Sequence, residues 1–242
     1  MRRSWMAFLA PMAFAMTFLP AVAAAESPRD MLFELKFGFY RPSIDSEFSN
    51  GATPYRDIFG GGNFLLTKLE WDYEIFKDLG VIAIGGTVGF GRDSGKGLLR
   101  NGEKSKDTNK FYLIPLSFDV IYRFDWLAQK HGIPFVPIVK GGFDYYIWWI
   151  SNGVGKVPKY TNEDGRSFEG RGGTFGGHVG FGLAFLMDWL AQDMATVFDS
   201  DVGVNSTYLF AEYMMSWVDD FGSSRSLDLS SKVIQFGIAF EF

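Results

Sequence analysis

The chain has 242 residues, a formal net charge of −5 and no cysteine. The absence of cysteine excludes disulfides, thiolate catalysis and cysteine-ligated zinc, and the acidic balance argues against a nucleic-acid partner, whose phosphates need a basic surface. Aromatic residues make up 18% of the chain and glycine occupies 29 positions, a composition that favours β-structure in one domain.

The N-terminal segment predicts an export signal. Two arginines precede 22 uncharged residues, and small residues at the end of this stretch fit the signal peptidase rule. We expect a signal peptide over 1–25, cleaved near Ala23 or Ala25, and one outer-membrane β-barrel domain over 26–242. A transmembrane anchor is the alternative, since the stretch is long enough to cross a bilayer.

Eight later segments alternate apolar and polar residues with a period of two, the pattern of half-buried strands. Most are 9–14 residues long, and a tilted membrane-spanning strand needs about 9–11. One face carries Phe, Tyr, Leu, Ile and Val, and the other carries Gly, Ala, Ser and charged residues. The segments lie near 32–40, 63–75, 82–90, 112–124, 134–149, 173–187, 205–218 and 232–242.

Bulk and charge decide which face points inward. The lumen of an eight-stranded barrel is narrow enough for side chains to fill it, so we expect the small and charged face inside and the aromatic face in lipid. The opposite sense would make a soluble lipocalin-like carrier, which stays as an alternative.

The predicted connections alternate in length. Those over 41–62, 91–110, 150–172 and 219–231 are long and polar, as expected for cell-surface loops. Those over 76–80 and 125–133 are short, whereas the connection over 188–204, at about 17 residues, is an exception. A hairpin within 150–172 would raise the strand number to ten.

The last strand carries a terminal signal of alternating apolar residues at Phe236, Ile238, Phe240 and Phe242. With this strand, the chain resembles the eight-stranded outer-membrane β-barrels of Gram-negative bacteria. That resemblance implies an all-β, antiparallel, transmembrane up-and-down barrel in the outer membrane. It also implies contact with outer-membrane lipid and recognition of the last strand by the barrel-assembly machinery. More narrowly, segments 125–142 and 198–210 look like a myxobacterial family of outer-membrane barrels, a likeness that brings no known activity.

A five-residue sequence, Asp-Trp-Leu-Ala-Gln, occurs at 125–129 and again at 188–192. Each copy follows a strand that should run towards the periplasm, and Asp can cap a short helix. We therefore predict a short periplasmic helix near 188–200. Aromatic residues prefer membrane interfaces, and we expect interface positions at Trp71, Tyr122, Trp126, Trp148, Trp149, Trp189 and Trp217. A carbohydrate-binding platform is the alternative for the cluster at 145–149.

Charged residues on the inward face form the main candidate site. Seven are acidic and four are basic. A salt-bridge network that fills the lumen is one interpretation, and a cation-selective path is the other. The residues are Glu34, Lys36, Lys68, Glu70, Asp72, Glu74, Asp119, Arg123, Lys140, Asp144 and Glu212.

Other chemistry is weakly indicated. His178 faces inward, but no Ser or acid stands near it at a motif spacing, so a lipid-modifying enzyme is a minor alternative. The 91–97 segment departs from the phosphate-loop pattern and is expected to be a surface loop. We predict no catalytic residue, metal or cofactor. The predicted function is a structural or surface-interaction role through the loops, and a small passive channel for ions or apolar solutes is the alternative.

Overall fold

The computed structural model describes residues 29–98, 102–161, 167–190, 203–223 and 226–242. The predicted signal peptide over 1–25 lies outside these residues. No described helix is long and apolar enough to cross a membrane. The strands are β1 (Met31–Tyr40), β2 (Phe64–Lys77), β3 (Val81–Leu98), β4 (Lys104–Arg123), β5 (Phe135–Ser151), β6 (Lys159–Thr161), β7 (Ser167–Glu169), β8 (Arg171–Leu186), β9 (Ser206–Val218) and β10 (Ser231–Glu241); the helices are α1 (Pro54–Phe59) and α2 (Trp126–His131).

Eight of these strands form one closed antiparallel barrel in the order β1-β10-β9-β8-β5-β4-β3-β2. Phe33 of β1 is opposite both Trp71 of β2 and Phe240 of β10, so the first and last strands close the ring. The predicted all-β, eight-stranded up-and-down barrel is therefore confirmed. The small strands β6 and β7 pair only with each other, so the predicted possibility of a hairpin in 150–172 holds without adding strands to the barrel.

The two faces of each barrel strand differ as the period of two predicts. The outward positions are apolar or uncharged, and many are exposed; Phe143, for example, is 71% exposed. No charged residue stands at an outward position within 31–39, 65–75, 82–90, 112–122, 135–149, 173–185, 207–217 or 234–242. An uncharged, aromatic-rich band therefore surrounds the barrel, and the charged residues point inward.

The barrel has a loop end and a turn end. The turn end holds the two short connections, the longer connection between β8 and β9, the start of β1 and the end of β10. The predicted loop over 91–110 is mostly strand, because β3 and β4 continue as a paired extension beyond the barrel. The two strands stay paired there although their outward residues are polar, so the alternation of apolar and polar residues no longer marks the strands in the sequence. Helix α1 packs on this extension, since a Cβ at Gly95 would lie 2.0 Å from the carbonyl oxygen of Ile58.

The repeated five-residue sequence gives two different structures at the turn end. The first copy begins helix α2, but Asp125 makes no side-chain cap bond, and the Gln129 amide donates to its carboxylate instead. The second copy begins in a 3-10 turn over Met187–Trp189, and its last two residues lie outside the described part of the chain. Asp188 accepts a hydrogen bond from the Thr207 amide at 3.2 Å. The part of the predicted 188–200 helix beyond 190 lies outside the described residues.

Apolar clusters occupy both ends of the lumen, which corrects the expectation that aromatic residues would not fit inside. The loop-end cluster combines inward strand residues with residues from the connections: Tyr40, Ile44, Tyr55, Phe64, Leu66, Phe111, Leu113, Tyr146, Val218, Leu229 and Val233. The turn-end cluster comprises Leu32, Val81, Ala83, Ile121, Val136, Ile138, Ala184, Tyr208, Phe210 and Ala239. Inward glycines leave room for two of these rings, since a Cβ at Gly91 would lie 2.5 Å from the Phe64 ring and a Cβ at Gly237 would lie 2.5 Å from the Phe210 ring.

Candidate functional site: the charged lumen

A layer of charged side chains lies between the two apolar clusters. The structure places every predicted lumen charge inside the barrel and buries it almost completely; these are Glu34, Lys36, Lys68, Glu70, Asp72, Glu74, Asp119, Arg123, Lys140, Asp144 and Glu212. The alternation brings them together because each stands on the inward phase of its strand. The contacts divide them into three groups.

Two lysines and three glutamates make the central group. The Lys140 ammonium lies 2.7 Å from Glu34 Oε2 and 2.6 Å from Glu70 Oε1, and Glu212 lies 3.5 Å away. Lys36 donates to Glu70 and lies 3.2 Å from Glu34 and 3.3 Å from Glu212. Each ammonium therefore faces the same three carboxylates, a crossed arrangement that joins β1, β2, β5 and β9.

The second group surrounds His178. Its Nε2 lies 2.8 Å from Asp119 Oδ1, and its Nδ1 lies 3.0 Å from Asp144 Oδ1. The Ser117 hydroxyl donates to Asp144 at 2.6 Å. The sequence shows no acid or serine near His178 because Asp119, Asp144 and Ser117 stand on other strands; the strand register brings them together.

The His178 group is linked to the central group. The Thr87 hydroxyl lies 2.9 Å from a Glu70 oxygen and 2.9 Å from an Asp119 oxygen. Lys68 is buried beside this link and makes no ion pair among the described residues. Space for it comes from β3, since a Cβ at Gly89 would lie 2.9 Å from Lys68 Cγ.

The third group lies towards the turn end. Arg123 donates to Glu74 and to Glu241, the latter at 3.1 Å, and the Tyr208 hydroxyl lies 3.3 Å from Glu241. Glu241 is not among the predicted lumen charges, although the alternation of the last strand places it on the inward face. It alternates with Phe240 and Phe242, and it lies on the same inward face of its strand as Gln235.

Asp72 differs from the other acids. It is fully buried, and among the described residues its carboxylate has neither a hydrogen-bond partner nor an ion pair. Its carboxylate lies over Gly85, where a Cβ would stand 2.0 Å from Oδ1. Oxygens of Glu34, Glu70 and Asp72 come within 4.8 Å of one another. Two of these carboxylates, those of Glu34 and Glu70, contact the ammonium groups of Lys36 and Lys140, which compensate their charge.

Space inside the lumen is small. One cavity in the charged layer and one in the turn-end cluster each measure about 10 Å³, which is about the space of one water molecule. The Ser117, Asp144 and His178 side chains face this enclosed interior and not the lipid or the loops. The geometry of the described residues favours a filled lumen over a solute path.

Helix α1, in the connection between β1 and β2, covers the loop end of the lumen above the charged layer. Tyr55 of α1 packs edge-to-face on Phe111, with ring centres 5.8 Å apart, and its hydroxyl donates to Asp93 at 2.7 Å. Burial raises the pKa of the Tyr55 hydroxyl well above its usual range, and the bond to Asp93 adds to the effect. Asp45 accepts the Tyr55 amide at 2.8 Å and so holds the start of α1. Sequence analysis did not predict this helix.

The predicted interface aromatics fall in different places. Trp149 and Trp217 face outward near the loop end, whereas Tyr122, Trp126 and Trp189 lie near the turn end. Two positions need correction. Trp71 faces outward but lies within the apolar run of β2, with Leu65 on one side and Ile75 on the other. Trp148 lies on the inward phase of β5 and packs against the loop-end cluster.

The terminal strand β10 closes the ring by pairing with β1, and its apolar residues face outward. Phe236 faces outward and is exposed, Ile238 and Phe240 share its phase, and Phe242 follows the last residue of β10. The Phe242 amide donates to the Met31 carbonyl at 2.8 Å, which ties the chain end to β1.

No protein-family profile matches the chain, and no curated protein matches it. Solved structures do. The chain is similar to Ail, the attachment invasion locus protein of Yersinia pestis, in complex with the heparin analogue sucrose octasulfate, with TM-score 0.43 and 12% identity over 88% of this chain and 97% of that one. It is similar to Neisserial surface protein A, with TM-score 0.44 and 12% identity over 88% and 96%. It is also similar to the N-terminal β-barrel domain of Pseudomonas aeruginosa OprF, with TM-score 0.40 and 13% identity over 88% and 98%. All three TM-scores are below 0.5, so nothing about the activity of this chain follows from them.

Proposed function

We propose that the protein is an integral barrel of the Gram-negative outer membrane, with a structural lumen and loops that act at the cell surface. The observation that carries the proposal is the band of uncharged outward side chains that crosses all eight barrel strands. A water-soluble barrel would not expose such a face, since large exposed apolar surfaces on soluble proteins are rare. A hydrocarbon core requires it, and closed antiparallel barrels are the β-structures that meet the hydrogen-bonding demand of lipid.

The orientation follows from the class. Exported barrels keep short turns on the periplasmic side and long loops outside, which places both termini of the domain in the periplasm. We propose that residues 1–25 direct export and that Phe236, Ile238, Phe240 and Phe242 form the signal for the barrel-assembly machinery. Outward Trp149 and Trp217 would then contact the outer interface. The narrower likeness to a myxobacterial family stays a prediction.

The lumen charges serve structure in this proposal. A buried charge is costly unless it is paired, and the Lys36, Lys140 and His178 contacts each join carboxylates from different strands. The pairing fixes strand register around the ring. The passive-channel alternative is disfavoured by the filled lumen, and the lipocalin-like alternative is disfavoured by the outward apolar band. No enzymatic role is proposed, because the His178 side chain faces the enclosed interior of the lumen.

A surface role is supported by the connection between β9 and β10. Asp220 and Phe221 adopt φ of 51° and 57°, a left-handed backbone that costs non-glycine residues free energy, and Phe221 is 80% exposed. The Asp220 carboxylate accepts the Phe175 amide at 2.7 Å, which anchors this turn to β8. A strained turn that presents a phenyl ring to solvent is a candidate contact for a surface partner.

The location is tested by fractionation and gel mobility. We expect the protein only in purified outer membranes, with a band that shifts when the sample is boiled in detergent. An unshifted band in the soluble periplasm would contradict the proposal. Protease added to intact cells should cut within 150–172 or 219–231, and cutting within 188–204 would contradict the orientation.

The surface role needs a separate test. A deletion strain should become sensitive to large apolar antibiotics or lose a surface-binding phenotype, and the wild-type protein should restore it. Phe221→Ser should fail to restore a binding phenotype while still giving the heat-shifted band. Full restoration of every phenotype by Phe221→Ser would remove this turn from the proposed role.

A further inference from the structure

The extension of β3 and β4 beyond the barrel has two chemically different faces. Its outward face carries five cations and no acid: Arg92, Lys96, Lys104, Lys106 and Lys110. Its inner face carries the acids Asp93 and Asp107. The chain as a whole is acidic, with a net charge of −5, so this separation concentrates positive charge in one place. We call the five residues the basic face.

The two faces also differ in their partners. Asp93 on the inner face accepts the Tyr55 hydroxyl and thereby positions α1. The five cations of the basic face make no ion pair with the described acids. Arg92 lies over the Tyr112 ring at 5.7 Å, and Tyr112 stacks on Trp149 with ring centres 4.9 Å apart and planes 10° apart. The inner face serves the fold, whereas the charges of the basic face are available to a ligand.

The basic face continues the lipid-facing band. Phe90 is an apolar outward residue of β3, and Arg92 follows on the same face about 7 Å further along the strand. A bilayer has an interfacial layer of about 5–8 Å beyond its hydrocarbon core, so Arg92 lies where headgroup phosphates begin. Lys104 stands six residues beyond Lys110, about 20 Å along β4. The cations thus extend well above the height of a simple phospholipid headgroup.

We propose that the basic face binds a multiply phosphorylated glycolipid of the leaflet that the loops face. The proposal rests on the membrane orientation given above. Guanidinium and ammonium groups recognise phosphate, and the stacked Tyr112–Trp149 pair offers a flat surface for the sugar or the glycerol-level part of the lipid. A tall headgroup with phosphates at several heights matches cations at several heights, and its acyl chains would contact the band below Phe90.

The test uses the full-length mature protein refolded in zwitterionic detergent. Binding of rough lipopolysaccharide, phosphatidylglycerol and heparin is measured by native mass spectrometry and by Trp fluorescence. Variant R92Q/K96Q/K110Q removes three cations of the basic face. Variant K130Q/K156Q/K232Q is the matched control, because it removes three exposed cations from other places and gives the same net charge.

We expect wild type and the control to bind the lipopolysaccharide more tightly than phosphatidylglycerol. We expect R92Q/K96Q/K110Q to bind it about 100-fold more weakly, since each surface cation contributes about fivefold towards an anionic membrane. Equal binding by the two triple variants would overturn the proposal. The proposal would also be overturned if the basic face bound heparin but not the glycolipid, because that result would indicate a soluble polyanion as the ligand. Every sample is also run on a gel with and without boiling. A band that shifts on boiling, with no lipid binding, refutes this inference alone. Loss of the shift in the wild-type protein refutes the membrane barrel itself.

Discussion

The charged layer and the loop-end cluster fill the same lumen by different means. In the charged layer, every partner comes from a barrel strand, and pairs such as Lys140–Glu34 join strands far apart in sequence. In the loop-end cluster, Tyr55 and Phe59 come from α1 in a connection and pack on Phe111 of β4. The first region ties strands to each other through charge, whereas the second closes the mouth by placing a loop on the strands. Stability should therefore depend on the two regions in different ways.

The largest expected effect comes from breaking the charged layer. Lys140→Ala leaves Glu34, Glu70 and Glu212 with Lys36 as the one ion-pair partner that they share among the described residues. An uncompensated buried charge costs about 3–5 kcal/mol. We expect that loss in the free energy of unfolding, measured by urea titration of the micelle-refolded protein. Lys130→Ala removes an exposed lysine from α2 and should change it by less than about 0.5 kcal/mol. A loss below about 1 kcal/mol for Lys140→Ala would show that the layer is not a coupled network.

A smaller loss is expected from opening the loop-end cluster. Phe111→Ala removes a fully buried ring that contacts Tyr55, Phe59 and Phe64. The expected loss is about 3 kcal/mol, at the lower end for such a truncation because α1 can settle into the space. Phe118→Ala on the same strand is the control, since detergent replaces the contacts of an outward ring. Equal losses for the two variants would argue against a packed cluster at the mouth.

The smallest effect isolates the bond between α1 and β3. Tyr55→Phe removes the hydroxyl that donates to Asp93 and should cost about 1 kcal/mol at pH 7. The raised pKa of Tyr55 in the folded state means that its contribution is complete below the ordinary tyrosine pKa of about 10 and declines above it. The stability difference between wild type and Tyr55→Phe should shrink between pH 10 and 11. A difference that grows over this range would contradict the assignment.

The comparison also explains what sequence could predict. Lys36, Glu70 and Lys140 could be assigned to the lumen because a period of two fixes the face of every strand residue. The contact of His178 with Asp119 and Asp144 could not be predicted, since it depends on register across neighbouring strands. Helix α1 lies in a connection whose polar composition hides two core aromatics. The β3–β4 extension was mistaken for a loop because strand pairing continues there without apolar residues.

The central claim is that charges lie inside and the apolar face lies in lipid, and the cysteine-free chain allows a direct test. Single cysteines would be introduced in β3 at Ala83 and Thr87, which are buried, and at Ile84 and Val88, which are exposed. Each would be labelled with bimane in urea before refolding into vesicles that contain nitroxide lipids. Labels at 84 and 88 should refold and be strongly quenched, whereas labels at 83 and 87 should block refolding. The opposite pattern, with 83 and 87 quenched and 84 and 88 blocked, would show that the barrel has been interpreted inside out.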